Sequence, residues 1–190
     1  MAERGRDTGS DVTGTIEPGT GPLAAITEIR GLGMILIRAD PTRAGDALAE
    51  AAGLAVPDTT RFTTDGARWL GWMAPDELLL ILPAAETAAT LAALRDALST
   101  EPALVEDVSA MRCVFDLSGP RAAEVLMKLT PADLSALPAD GVRRTRAGQV
   151  ACALWRHGDG WRVIAFRSIR DYLAEVLARA AAPGTGLAPR

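Results

Sequence analysis

The sequence predicts an α+β fold built from two tandem split-βαβ lobes of the ferredoxin-like kind. Three observations predict it. Residues 24–83 read as strand, helix and strand pair, and residues 103–166 repeat that order. Each half then closes with an apolar helix, over 85–98 and 168–181. In each half the strand pair flanks a turn, Ala74-Pro75-Asp76 in the first and His157-Gly158-Asp159-Gly160 in the second. Residue identity between the halves is low, so the repeat is one of pattern.

In the first half, residues 29–37 carry Ile29, Leu32, Met34, Ile35, Leu36 and Ile37 and predict one buried strand. Asp40-Pro41 opens a helix, since Asp40 can cap and Pro41 suits the first helical position. Ala44, Ala47, Leu48 and Ala51 form its apolar face, and Gly53 is a natural stop. Residues 67–73 and 77–82 predict a hairpin. Leu91, Leu94 and Leu98 share one face of the helix that follows.

In the second half, residues 111–117 predict a strand and Ser118-Gly119-Pro120 a helix start, with Ala122, Val125, Leu126 and Leu129 facing inward. Residues 130–148 read as irregular, with Pro131 and Pro138 and a basic run of Arg143, Arg144 and Arg146. Residues 150–155 and 161–166 flank the Gly-rich turn, where glycines supply positive φ. Ser168 with Asp171 three residues on approximates a capping box, and Ile169, Tyr172, Leu173, Val176 and Leu177 form the buried stripe of the last helix. Residues 1–21 read as a disordered tail, 22–182 as the folded body with lobes over about 22–100 and 101–182, and 183–190 as a loose end.

The chain has 190 residues, is 48% hydrophobic and carries a net charge of −4, so it has ample core material and no global field for nucleic acid. Its apolar runs, such as 78–82, are far shorter than the roughly 20 residues of a membrane helix. The two cysteines, Cys113 and Cys152, sit in apolar runs and read as buried hydrophobes in a reducing cytoplasm.

The chemical inventory is thin. His157 is the one histidine, placed in a turn, and a catalytic histidine needs an orienting acid and a nucleophile or substrate within reach. No Cys-x-x-Cys and no second histidine offers a metal site. Gly31-Leu32-Gly33 lacks the third glycine and the strand-to-helix setting of a dinucleotide fingerprint. Catalytic, cofactor-binding and metal-ligating residues are therefore read as none. Interface candidates are Trp69 and Trp72, which alternate faces of a hairpin strand, and Arg143 and Arg144 in the long loop.

Several short motifs then align in order. Val105-Glu106-Asp107-Val108-Ser109 precedes Phe115-Asp116-Leu117-Ser118-Gly119-Pro120-Arg121-Ala122. Pro131-Ala132-Asp133-Leu134, Arg144-Thr145, Leu154-Trp155-Arg156 and Arg167-Ser168 with Tyr172-Leu173 follow, and Trp72-Met73-Ala74-Pro75-Asp76-Glu77 marks the first half. Over about 22–182 this resembles the gamma subunit of heterotetrameric sarcosine oxidase. The resemblance implies a fold similar to the folate-binding region of glycine cleavage T-protein. It implies a cytoplasmic complex that oxidatively demethylates sarcosine to glycine, forming hydrogen peroxide, with the one-carbon unit released as formaldehyde or passed to tetrahydrofolate. It also implies alpha, beta and delta partners, with FAD, FMN and NAD on alpha and beta, zinc on delta, and no cofactor on gamma. Two rival readings are a stand-alone folate-dependent aminomethyltransferase and a small-molecule sensor.

Overall fold

A computed structural model describes residues 23–187. The tail expected over 1–21 lies outside them. The strands are β1 (Ala25–Ile29), β2 (Leu32–Arg38), β3 (Phe62–Thr64), β4 (Trp69–Ala74), β5 (Glu77–Pro83), β6 (Leu104–Asp107), β7 (Arg112–Ser118), β8 (Val142–Ala147), β9 (Val150–His157) and β10 (Gly160–Phe166). The helices are α1 (Pro41–Ala52), α2 (Thr87–Ala97), α3 (Ala122–Met127) and α4 (Arg170–Ala181).

Local chemistry sets the first helix. The Thr42 N–H donates to the Asp40 carboxylate at 2.9 Å, Pro41 fills the first turn, and Gly53 ends the helix at φ 71°. The strand expected over 29–37 is in fact the junction of two. Gly31, at φ 74°, breaks the apolar run, so that β1 and β2 run in different sheets.

The ten strands form two antiparallel sheets, ordered β3-β4-β5-β2-β6 and β1-β7-β10-β9-β8. In the first, β2 and β4 both lie antiparallel to β5 and so run parallel to each other around it. With α1 between them this is a split βαβ unit. In the second, β7, α3, β9 and β10 repeat the arrangement. Each sheet is completed by a strand beside its first strand: β6 beside β2, and β1 beside β7. The boundary expected between residues 100 and 101 therefore separates β6 from its sheet, and β1 belongs with the second half.

The helices cover the outer faces. Ala44 and Leu48 of α1 and Leu94 of α2 pack on Ile35, Ile37 and Leu80 in one core. Val125 and Leu126 of α3 and Leu173 and Leu177 of α4 pack on Phe115, Leu154 and Val163 in another. A third core lies between the inner sheet faces, where Met34, Trp69, Leu79 and Ile81 meet Val114, Ala153, Trp155 and Ile164. The order of layers is thus helices, sheet, sheet, helices.

Four further expectations change. Residues 130–148 are not wholly irregular, because Val142–Ala147 is the edge strand β8. Ser168 does not cap α4: a 3₁₀ turn at Arg167–Ile169 leads into the helix, the cap residue Ile169 has no side-chain bond, and Asp171 pairs with Arg170 instead. Tyr172 is exposed, while its stripe neighbours Leu173 and Leu177 are buried. The end expected to be loose is tied down over its described part, for Lys128 Nζ donates to the Thr185 carbonyl at 2.9 Å and to the Ala180 carbonyl.

Candidate functional site

The hairpin tryptophans take different places. Trp69 faces the other sheet and is 6% exposed. Its ring stacks on Trp155 of β9 at 4.3 Å and 26° and meets Phe62 at 5.6 Å. It was expected among the interface residues. The structure instead commits its apolar area to the seam between the lobes, because a second sheet covers the face it points to. Trp72 lies on the opposite face, as the period of two requires, and is half-buried against the core under α1 and α2.

Arg143 and Arg144 stand on β8 rather than in a loop, and both are exposed. Arg144 Nη1 donates to the Met73 carbonyl at 3.1 Å and lies 3.8 Å from the Glu77 carboxylate, so it clips the edge of one sheet to the other. Arg143, the preceding residue of the same strand, is exposed.

At one end of the seam opens a cleft of about 230 Å³, lined by Trp69, Trp155, Arg68, Arg156, His157 and Arg162. Its guanidiniums are engaged with the fold. Arg68 Nε donates to Glu86 at 3.0 Å, Arg156 Nη2 to the Leu134 carbonyl at 3.2 Å, and Arg162 Nε to Asp116 at 3.3 Å. Burial, then the charge of Arg162, hold the His157 imidazole below its ordinary pKa, against the opposing pull of Asp116. Asp116 is bound to Arg162, so it is not an orienting acid for His157, and Thr64 Oγ1 donates to the Arg68 carbonyl at 2.6 Å. That arrangement suits structure better than proton transfer.

The cysteines offer no nucleophile near neutrality. Burial pushes Cys152 up to about 12 and raises Cys113 as well. Among the described residues no group of three or more His, Cys, Asp or Glu side chains is placed to hold a metal ion.

A second charged constellation gathers residues that are far apart in the chain. The side chain of Glu28 on β1 is 2% exposed, and Arg170 donates to it from Nη2 at 2.8 Å and from Nε at 3.2 Å. Arg30 reaches the same carboxylate at 3.1 Å and Arg167 lies 3.6 Å from it. Beside them the Arg112 guanidinium stacks 4.3 Å above the Phe166 ring. Sequence reasoning passed over this cluster because its members are scattered over β1, β7 and the start of α4. Only the antiparallel pairing of β1 and β10 with β7 unites them.

The model of the "Sarcosine oxidase, gamma subunit family" matches residues 37–183. A sarcosine oxidase subunit gamma from Corynebacterium sp. strain U-96 is 35% identical over 160 residues, which is 82% of this chain and 66% of that protein's length. The chain thus spans just under two thirds of that relative. The structure is similar to a chain of heterotetrameric sarcosine oxidase from Corynebacterium sp. U-96, solved with pyrrole 2-carboxylate. That match has a TM-score of 0.79 at 31% identity, over 88% of this chain and 87% of that one. A glycine cleavage system aminomethyltransferase T from Bartonella henselae shares the fold, with a TM-score of 0.62 at 20% identity over 86% of this chain and 48% of that one.

Proposed function

This chain belongs to the sarcosine oxidase gamma subunit family, and on that premise we propose that it is the non-catalytic gamma subunit of a heterotetrameric sarcosine oxidase. In this reading the complex oxidatively demethylates sarcosine to glycine, and the chain supports its assembly by buttressing the alpha subunit. Beta and delta are the remaining partners. FAD, FMN, NAD, tetrahydrofolate and zinc belong to those other chains, in a cytoplasmic assembly.

The observation that carries the reading is the structural match over nearly the whole described chain to a chain of a heterotetrameric sarcosine oxidase. The chemistry agrees with a supporting role. The thiols are held protonated by burial, and the cleft arginines are bound to the chain's own carboxylates and carbonyls. Among the described residues no helix is long and apolar enough to cross a membrane.

The test is co-expression with the larger subunits, purification by a tag on this chain, and an absorbance scan. We expect flavin-bearing chains to co-purify, and we expect the chain alone to be colourless and inert toward sarcosine. Amine oxidation by the purified single chain, or its failure to retain any flavin-bearing partner, would overturn the reading.

A further inference from the structure

The cleft at the end of the seam is rich in hydrogen-bond donors. Trp155, His157 and Arg162 share one face of their sheet. His157 stands two residues beyond Trp155 on β9, and Arg162 is the direct cross-strand partner of Trp155 on β10. Trp69 stacks on Trp155 from the other sheet. Arg68 and Arg156 also line the cleft but spend their guanidiniums elsewhere. Arg68 bonds Glu86 and the Ala52 carbonyl, and Arg156 bonds the Leu134 carbonyl and lies 4.6 Å over the Trp161 ring. Thr64 Oγ1 is used within its own turn, donating to the Arg68 carbonyl and accepting from the Gly66 N–H. The side-chain polar groups left to the cleft are Arg162, His157 and two indole N–H groups.

An indole and a guanidinium can only donate. The Nε1 atoms of Trp69 and Trp155 are buried and have no hydrogen-bond partner among the described residues. Such orphaned buried donors are costly and uncommon, and here two belong to one ring stack. Arg162 commits Nε to Asp116 at 3.3 Å, and its two Nη groups bond to no described residue. No aspartate or glutamate of the described residues lines the cleft. The remaining wall is apolar, with Leu32, Phe62 and Ile81. The volume of about 230 Å³ lies below the roughly 300–1,000 Å³ of sites for drug-sized molecules, so the matching occupant is small.

We propose that this cleft binds a small aromatic carboxylate. Its carboxylate accepts from the Arg162 Nη groups and the tryptophan N–H groups, and its ring lies against the apolar wall. The chemistry of the donors selects the ligand. An ionised carboxylate is acceptor-only and fits the planar fork of a guanidinium, whereas an ammonium would meet donors alone. The site is built wholly from this chain, so the proposal stands apart from the subunit reading.

The experiment is calorimetric titration of the full-length chain with three probes of one shape: benzoate, the neutral benzamide and the cationic benzylamine. The variants are Arg162→Gln and Trp69→Phe, which keeps an aromatic ring and removes the N–H. Arg43→Gln on α1 is the remote control, and melting of each chain is recorded alongside. We expect benzoate to bind the wild type with a Kd of about 1 mM or tighter and to raise its melting temperature. We expect benzamide to bind about tenfold more weakly and benzylamine not at all. Arg162→Gln should weaken benzoate by about tenfold or more, Trp69→Phe by about threefold or more, and Arg43→Gln should leave it unchanged. A variant that melts early is discounted and the other decides, while the comparison of probes needs no variant. Absence of benzoate binding up to about 10 mM would overturn the site. So would benzamide or benzylamine binding as well as benzoate, or folded variants that keep wild-type affinity. Assembly is scored separately by co-purification, so failure of the site and failure of the subunit reading register in different measurements.

Discussion

Glu28 shows how a single carboxylate can depend on its neighbours. Burial works to raise its pKa, but the hydrogen bonds from Arg170 and then the charges of Arg170, Arg30 and Arg167 outweigh it, so the carboxyl titrates below its ordinary value. The folded pKa is the lower one. The stabilisation is therefore complete above the unfolded value and is lost as the pH falls through the folded one. Glu28→Gln leaves three guanidiniums without their shared anion. Because Arg30 and Arg167 are half-exposed and screened by water, we expect a loss of about 1–3 kcal/mol near neutral pH. Melting curves down a pH series should show the gap between variant and wild type narrowing in the carboxylate range, and a gap independent of pH would refute the assignment. The cysteines make a second case. With Cys152 pushed up to about 12 and Cys113 raised, the thiolate is scarce and enclosed. Iodoacetamide at about pH 8 should label neither in the native chain and both in denaturant. Rapid stoichiometric labelling of the folded chain would contradict this.

At the scale of elements, Leu173 carries the buried stripe of α4. It is fully buried against Phe115 and its neighbours, so Leu173→Ala should cost about 2–5 kcal/mol of stability in a denaturant titration. An unchanged midpoint would mean that α4 does not hold the core. This stripe was legible in the sequence, and so was α1 from Asp40-Pro41 to Gly53, because caps and helical faces are written in adjacent residues. The two hairpins were legible for the same reason. β8 was not, since Val142-Arg143-Arg144-Thr145-Arg146-Ala147 puts charge on half of the positions of an edge strand, and charged edge strands resemble loops. The break between β1 and β2 was hidden inside one apolar run. The Glu28 cluster and the burial of Trp69 depend on which strands pair and which sheets stack, and neither is written locally. Of the residues named in advance for the interface, Trp72 is half-buried and Arg143 and Arg144 are exposed.

At the scale of the whole molecule, the sheets hold the halves together twice. The first link is the seam, where Trp69 of one lobe stacks on Trp155 of the other amid apolar side chains. Removing the more deeply buried partner of that contact, Trp155→Ala, should cost about 3–5 kcal/mol, and unfolding should remain a single transition if the lobes form one cooperative unit. The second link is the connectivity. β6 follows α2 and completes the first sheet beside β2, while β1 precedes the first lobe yet completes the second sheet beside β7. A chain cut between residues 100 and 101 would leave Ile35 and Ile37 beside an open edge in one fragment and deprive β7 of one of its two partners in the other. It would also expose both inner sheet faces. Unpaired ladder groups and uncovered apolar faces each disfavour an isolated sheet. We therefore expect fragments 22–100 and 101–182 to lack a cooperative melt when separate. Mixed in equal amounts, they should recover one, because β1 and β6 each then reach the sheet that they complete. Circular dichroism melts with size-exclusion chromatography make the comparison. A fragment that melts cooperatively alone, or a mixture that stays unpaired, would show that the lobes are autonomous and that the shared strands and the tryptophan stack are secondary to their stability.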